Sequence, residues 1–341
     1  MITQEATITV VTVTYGRRWC FLSKVLEVLL TDPAVVEIVV VDNGSQEDIR
    51  SHVSELASPK IHVVSTGQNL GSAAGFKRGI EEAYSRAKGE FIWLLDDDNR
   101  PEPDCLQRLL AYYRALGNEP MNCLLALRER QRELVDLVER GYRADPRPNS
   151  FLGFHWRDVP RKIARRVMPG RTSVKTGTKF PLVSLTYAPY GGFLFHRSWV
   201  KWVGLPNERF FLYGDDHEYT WRFTRQGGRI YLCANCRVED IDVSWHHQTH
   251  DAHPFLSPRA NALRLFYSAR NRAYLEAIYL VHSRVAYGFN VVLYVGFMLL
   301  KSLIREGDKV GVLGRLRLFL KALRQGWAGE LGIAQEPGLK I

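Results

Sequence analysis

Three adjacent carboxylates, Asp96-Asp97-Asp98, follow the apolar run Phe91-Ile92-Trp93-Leu94-Leu95. If that run is a buried strand, it delivers the acids into a region of low dielectric. There like charges repel and resist ionisation unless a cation is at hand. A hard divalent ion, Mn²⁺ or Mg²⁺, accepts oxygen ligands and leaves positions open for phosphate oxygens and water. Ligands of open α/β sheets lie at the carboxyl ends of strands, which is where these aspartates fall. The plainer alternative is a surface turn in which Asn99 or one Asp caps the helix expected after Pro101. One acid would suffice for a cap, so three favour a metal–diphosphate site.

A second constellation is Phe210-Phe-Leu-Tyr-Gly214-Asp215-Asp216-His217-Glu218-Tyr219-Thr-Trp-Arg222. An aromatic segment, a glycine and paired carboxylates open a predicted helix whose acidic first turn suits the macrodipole. One carboxylate could cap that helix while the other acts as a general base, the usual division where two acids have different surroundings. Asp42 ends another apolar run and could accept bonds from a nucleobase or ribose, or could simply form an Asx turn. Asn69 to Gly75 opens a helix whose free N–H groups suit an anion. Lys77 and Arg78 follow it, either for a diphosphate or on a solvated face. Four histidines, His246, His247, His250 and His253, lie after a predicted strand. One of them could complete a metal site begun by the aspartates; a separate zinc cluster lacks a supporting cysteine pattern.

These groups need a frame. Thr7–Thr14 and Val35–Val41 are rich in β-branched residues and predict buried strands. Lys60–Ser65 and Glu90–Leu95 predict two more, and helical spacing covers Phe21–Leu30 and the segment from Asn69 to Arg86. Four alternations of strand and helix predict an α/β nucleotide-binding half with right-handed crossovers. Asp104–Leu116 predicts a helix, Asn122–Leu127 a strand and Arg130–Arg140 a short helix or lid. Residues 143–179, with four prolines and many basic residues, predict an extended loop. Phe180–Phe195 returns to order around Tyr190-Gly191-Gly192, and Arg237–Val243 predicts a strand. A helix follows over Arg259–His282. Val285–Leu300 is apolar apart from Asn290 but shorter than the ~20 residues that span a bilayer. With the basic amphipathic run Arg315–Arg324 it predicts helices lying on an anionic membrane surface, against the alternative of a plain helical bundle or dimer contact. The division expected is 1–257 for the catalytic domain and 258–341 for the helical extension.

The chain has 341 residues, 46% apolar and 24% charged, with a net charge of +10. That balance favours an anionic partner, and the cations gather in Arg157–Lys179 and Arg305–Arg324. No aromatic–basic recognition motif accompanies them, so nucleic acid is not expected. Five widely spaced cysteines argue against a disulfide framework. Cys233-Ala-Asn-Cys236 is a lone CxxC, whose default reading is buried thiols beside a strand. The N-terminus lacks a basic region followed by an apolar core, so a cytoplasmic protein is expected.

The ordered set Thr12-Val-Thr14-Tyr15, Val41-Asp42-Asn43-Gly44-Ser45, Asn69-Leu-Gly71…Gly75-Phe76…Gly79, Trp93-Leu-Leu-Asp96-Asp97-Asp98, Gly191-Gly192-Phe-Leu-Phe-His196, Gly204-Leu-Pro-Asn, Phe211-Leu-Tyr-Gly-Asp215-Asp216-His-Glu218 and Tyr267-Ser-Ala-Arg270-Asn271-Arg272 resembles family 2 inverting glycosyltransferases. Within that family it is most similar to bacterial galactofuranosyltransferases, with rhamnosyltransferases near. The resemblance implies a GT-A fold, a Rossmann-like mixed sheet, with the C-terminal helices as a membrane-associating extension. It implies a divalent cation, a nucleotide-diphosphate sugar donor (UDP-galactofuranose first, a dTDP-sugar as the rival) and a lipid-linked or polysaccharide acceptor. By position, Thr14, Asp42, Asn69, Lys77, Asp96 and Asp97 would line the nucleotide. Asp96, Asp98 and His246 would hold the metal, with His247 as the neighbouring alternative. Asp216 would be the catalytic base, and Gly192, Asp215 and Glu218 would meet the acceptor. Asn99 departs from the pattern, which usually has an apolar or small residue there. The enzyme is then expected on the inner face of the cell membrane, with homo-oligomer formation left open. A non-catalytic, membrane-associated or polyanion-binding protein is the reading from another class.

Overall fold

The computed structural model describes residues 6–141, 146–160, 181–242, 256 and 261–335. Its contacts divide the chain into two compact units. The first comprises Met1–Arg143, Thr176–Glu208 and Asp215–Val243; the second comprises Ala144–Lys175, Arg209–Gly214 and Ser244–Ile341.

The first unit is built on one mixed sheet. Its strands are β1 (Ile8–Gly16), β2 (Val35–Ser45), β3 (Ile61–Ser65), β4 (Phe91–Asp96), β5 (Asn99–Pro101), β6 (Asn122–Arg128), β7 (Leu182–Leu185), β8 (Phe193–His196) and β9 (Arg229–Asp240). The order is β3-β2-β1-β4-β8-β6-β9-β5, with β7 also paired to β9. The first four in that order run parallel, and β8 enters antiparallel between β4 and β6. Helices α1 (Trp19–Thr31), α2 (Ile49–Glu55), α3 (Gly71–Arg86), α4 (Cys105–Ala115) and α5 (Arg132–Arg140) follow the early strands, and α6 (Trp199–Val203) and α7 (Asp215–Arg225) the later ones.

Alternation along the strands makes two apolar layers, because successive side chains leave opposite faces. Val11, Ile92 and Leu94 pack with Phe76 and Ile80 of α3 and Tyr219 and Phe223 of α7. Val10, Phe91, Trp93 and Leu95 pack with Leu22 and Leu26 of α1 and Leu106 and Leu109 of α4. Helix α3 lies unusually close to the sheet. A Cβ at Gly75 would fall 2.6 Å from Val13 Cγ1, and one at Gly79 2.4 Å from Val11 Cγ1. The glycines that resemble an anion-binding helix start therefore have a packing task one and two turns further on. The register of β6 on β9 jumps from Ala126–Cys233 to Leu127–Arg237, so the CxxC forms a bulge. Cys233 and Cys236 are buried free thiols there.

The second unit has its own core, in which Phe151, Phe266, Tyr267, Met298 and Phe319 meet. Three helices carry it: α8 (Ala262–Tyr279), α9 (Arg284–Arg305) and α10 (Lys309–Ala328). The apolar run expected over sixteen residues is part of a 22-residue helix, because α9 continues through Lys301 to Arg305. Arg270 and Asn271 of α8 are fully buried. Asn271 Nδ2 lies 2.7–2.9 Å from the carbonyls of Phe210, Leu212 and Tyr213. It secures a segment in which Phe211 and Tyr213 take left-handed φ of 65° and 63°, a conformation costing roughly 1–2 kcal/mol per non-glycine residue.

Candidate active site

The site belongs to the first unit, at the end of the sheet where β4 stops. Asp96 is the last residue of β4, and the chain turns through Asp97 and Asp98 into β5. None of the three caps α4: its N-cap is Asp104, in the left-handed region and without a side-chain cap bond. The turn is fixed by Asn99, whose side chain is buried at its centre. Asn99 Oδ1 accepts from the Asp96 amide (3.2 Å), and Nδ2 donates to Asp98 Oδ1 (3.2 Å) and Asp240 Oδ1 (2.9 Å). The residue that departs from the family pattern is thus the clamp of the acidic turn.

Two guanidinium groups balance part of the charge. Arg18 Nε donates to both oxygens of Asp97 (2.8 and 2.9 Å), and Nη1 reaches Asp242 at 2.7 Å. Its Nη2 is 3.3 Å from Asp98. Arg128 bonds Asp240 through Nε at 2.7 Å and Asp96 through Nη1 at 3.2 Å. Five carboxylates share two arginines, so negative charge is in excess. Loss of hydration first, and then the charges of Asp96 and Asp97, push Asp98 up to about 7. Asp97 is pushed up to about 6 by burial despite the Arg18 guanidinium. Asp96 is raised by desolvation, relieved by Arg128, and raised further by Asp240 and Asp216. Asp96 also keeps 37% of its side chain exposed, against 5% for Asp97. It is the carboxylate a ligand can reach.

The backbone of 190–192 makes the floor of this cluster. A Cβ on Gly191 would fall 2.2 Å from Asn99 Oδ1, 2.5 Å from Arg128 Nη1 and 3.0 Å from Asp96 Oδ2. Only glycine leaves room for these groups. Gly192 takes φ +93°, and its amide donates to Leu94 O at 2.8 Å, docking the segment on β4.

Helix α7 brings the second acid pair. Asp215 is buried and accepts from Ser72 Oγ of α3 at 3.3–3.4 Å. Burial first, then the charge of Asp216, holds Asp215 well above the usual carboxylate range, and Asp96 adds to the rise. The two acidic stretches, far apart in sequence, thus feel each other's charge. Asp216 keeps 25% of its side chain exposed and accepts from the His217 amide at 2.7 Å. Its carbonyl and that of Ala188 are joined by Thr220 Oγ1, at 2.7 and 2.8 Å, fixing α7 against residues 187–190. The buried Tyr190 hydroxyl has no hydrogen-bond partner, and its pKa is raised by burial first and then by Asp215 and Asp216.

The other sequence-derived residues fall as follows. Thr14 is buried at the end of β1. Asp42 accepts from the Ser45 amide at 2.9 Å and from Ser65 Oγ at 3.4 Å, a turn role that leaves it half-buried. Asn69 Oδ1 accepts from the Gly71 amide at 2.9 Å, and Lys77 pairs with Glu208 at 2.9 Å. Glu218 is buried and accepts from Arg222 Nε at 2.8 Å, while Arg222 Nη1 bonds the carbonyls of Val203 and Leu205. His246 and His247 lie outside the described residues, as does most of the basic loop 143–179.

Among the described residues, no three acidic, histidine or cysteine side chains converge on one metal position. Asp96 and Asp98 nonetheless fit a hard divalent ion in type, and burial first, with neighbouring carboxylates after it, raises their pKa values. Sequence reasoning missed Arg18, Arg128, Asp240, Asp242 and Ser72. Only the position of Arg18 directly after the first strand was a local signal for any of them.

The mixed sheet, the acids where β4 ends and the second acid pair on α7 make an α/β protein with an acidic site. Residues 9–180 match Glycosyl transferase family 2, and the chain belongs to that family. It is 27% identical over 287 residues to galactofuranosyltransferase GlfT1 of Mycolicibacterium smegmatis, covering 80% of this chain and 84% of that one. It is 23% identical over 274 residues to the low-salt glycan biosynthesis hexosyltransferase Agl10 of Haloferax volcanii, covering 80% and 78%. Among solved structures, S. aureus TarS 1–349 superposes with a TM-score of 0.53 at 12% identity, over 95% of this chain and 82% of that one. The fold is GT-A.

Proposed function

We propose that this glycosyltransferase moves galactofuranose, with inversion, from UDP-galactofuranose to a lipid-linked or polysaccharide acceptor of a bacterial surface glycan, working on the inner face of the cell membrane. The observation that carries the chemistry is that Asp96 and the pair Asp215–Asp216 lie near enough to raise one another's pKa, with Asp215 anchored to α3 by Ser72. Similarity to GlfT1 supports the choice of sugar.

In this reading Asp96 and Asp98, with His246, would hold a divalent cation, which would supply Lewis-acid charge compensation for the diphosphate. Arg18 and Arg128 fix the carboxylates that carry it. Thr14, Asp42, Asn69 and Lys77 line the nucleotide. Asp215 resists ionisation, which leaves Asp216 as the solvent-facing base. Asp216 removes the proton from an acceptor hydroxyl as that oxygen attacks the anomeric carbon on the face opposite the diphosphate. A single displacement inverts the centre without a covalent sugar–enzyme intermediate. Gly192, Asp215 and Glu218 border the acceptor side.

Purified protein incubated with UDP-galactofuranose or dTDP-rhamnose, a synthetic prenyl-diphosphate glycan, and Mn²⁺ or EDTA, tests this directly. Transfer from the first donor alone, abolished by EDTA, is expected. Transfer from dTDP-rhamnose would reassign the sugar, and undiminished turnover in EDTA would remove the metal.

A further inference from the structure

Helix α9 has two faces of different character. Val285, Phe289, Val292, Phe297, Leu300 and Ile304 are 50–84% exposed and recur at helical spacing, so they form one apolar ridge. The opposite face carries the buried Tyr287, Asn290, Met298 and Ser302. That face is committed to protein. Asn290 Nδ2 donates to Asn149 O (2.9 Å), its Oδ1 accepts from the Trp156 amide (2.8 Å), and Tyr287 OH bonds the buried Glu276 at 3.1 Å.

The helix is long and apolar enough to cross a membrane by length and composition. Crossing, however, would either strip Asn290 and Tyr287 of those partners or carry the partners, the ionisable Glu276 among them, into hydrocarbon, and both are costly. Lying along the surface keeps every one of those bonds. The charges agree with that placement. Helices α9 and α10 contain Arg284, Lys301, Arg305, Lys309, Arg315, Arg317, Lys321 and Arg324, and no carboxylate. Val310, Leu313 and Leu320 of α10 are exposed as well. Trp156, 43% exposed and 6.2 Å from Phe289 between ring centroids, adds an amphipathic ring of the kind that favours the headgroup level.

We propose that the outer face of α9 and α10 lies in the plane of an anionic bilayer, with the Phe289–Phe297 ridge in the acyl boundary and the arginines and lysines at the phosphates. The in-plane geometry deepens the membrane location of the reading above but does not depend on its choice of sugar. Co-sedimentation of the full chain with phosphatidylglycerol/phosphatidylcholine vesicles, lacking any acceptor, keeps the two separate. Wild type should partition to anionic vesicles, less so in high salt, and carbonate should release it. The Phe289→Asp/Phe297→Asp variant should lose partitioning at least tenfold, with unchanged Tm and unchanged transfer to a water-soluble acceptor. Brominated lipid should quench tryptophan fluorescence in wild type and much less in the variant. Retention after carbonate would make α9 a span. Unaltered partitioning of the variant would remove the ridge from the contact. A wild-type dimer made monomeric by the variant, with no lipid binding, would assign the ridge to a second copy of the chain.

Discussion

Two buried regions of charge solve opposite problems. At the end of β4, Arg18 is surrounded by Asp97, Asp98 and Asp242, which hold its guanidinium above its ordinary value despite burial. In the second unit Arg270 is buried without a carboxylate on it. Its guanidinium bonds Asn271 Oδ1, Gly332 O and Phe210 O and stacks 4.6 Å over Tyr267. Burial lowers it to about 10. Around Arg270 the polar bonds are complete and neutral dipoles carry the charge, as suits a structural joint. Around Arg18 acids outnumber cations, and burial together with that excess makes Asp97 and Asp98 resist ionisation.

Four experiments press on that contrast. The largest effect is expected from Asp216→Asn, which should lower kcat by about 10³-fold, within the range for a general base, while nucleotide affinity holds. Lost affinity with residual turnover would move Asp216 to the binding side. Next, Arg270→Met should cost on the order of 3 kcal/mol, because buried carbonyls lose their donor, read as a lower Tm with transfer per folded molecule preserved. A selective fall in kcat with Tm intact would make the framework region functional. Third, Gly191→Ala pushes a methyl group into Asn99, Arg128 and Asp96. It should weaken Mn²⁺-dependent nucleotide binding roughly tenfold or more, about 1.4 kcal/mol, whereas Gly288→Ala, with open space around it, should change nothing in an isothermal titration.

The smallest effect is a pH dependence. Asp97 and Asp98 stand at about 6 and about 7 in the folded chain, above the ~3.9 of an unfolded aspartate. Groups raised on folding contribute stability below the unfolded value and lose it as pH climbs through the folded one. In EDTA, Tm should therefore fall between about pH 4 and pH 7. Mn²⁺ should shrink that fall and Asp98→Asn should flatten it. A Tm that rises over the same window in EDTA would mean the cluster is already balanced.

Much of this was legible in the chain. The four alternations were readable because buried parallel strands are near-continuous apolar runs and their helices are periodic, so β1 to β4, α1 and α3 stand within a few residues of expectation. The short polar helix α2 was missed: seven residues with buried Ile49 and Val53 make too weak a pattern. The acidic pairs were legible because adjacent like charges after apolar runs are costly without a purpose. Their partners were not. Arg18 and Asp242 are 224 positions apart, and only the pairing of β6 with β9 and β9 with β5 brings Asp240, Arg128 and Asn99 together. Asn99 looked like a misfit because its task is to the turn's own backbone and to a distant strand. Helix α9 was read too short because Lys301 was counted as its end, although a long cationic side chain can leave its stem on the helix and its head in water.

The bare flank of α3 has a further consequence. With nothing but hydrogen at Gly75 and Gly79, the helix rests on Val13 and Val11 with no slack, and its first turn carries Ser72, the partner of Asp215. Adding a single carbon at Gly79 would pry the helix off the strand like a shim under a beam. Ser72, at the helix's opening turn, would shift with it. The placing of the buried Asp215 carboxyl's hydrogen-bond partner is thus set two turns away, by the lack of a side chain at Gly79.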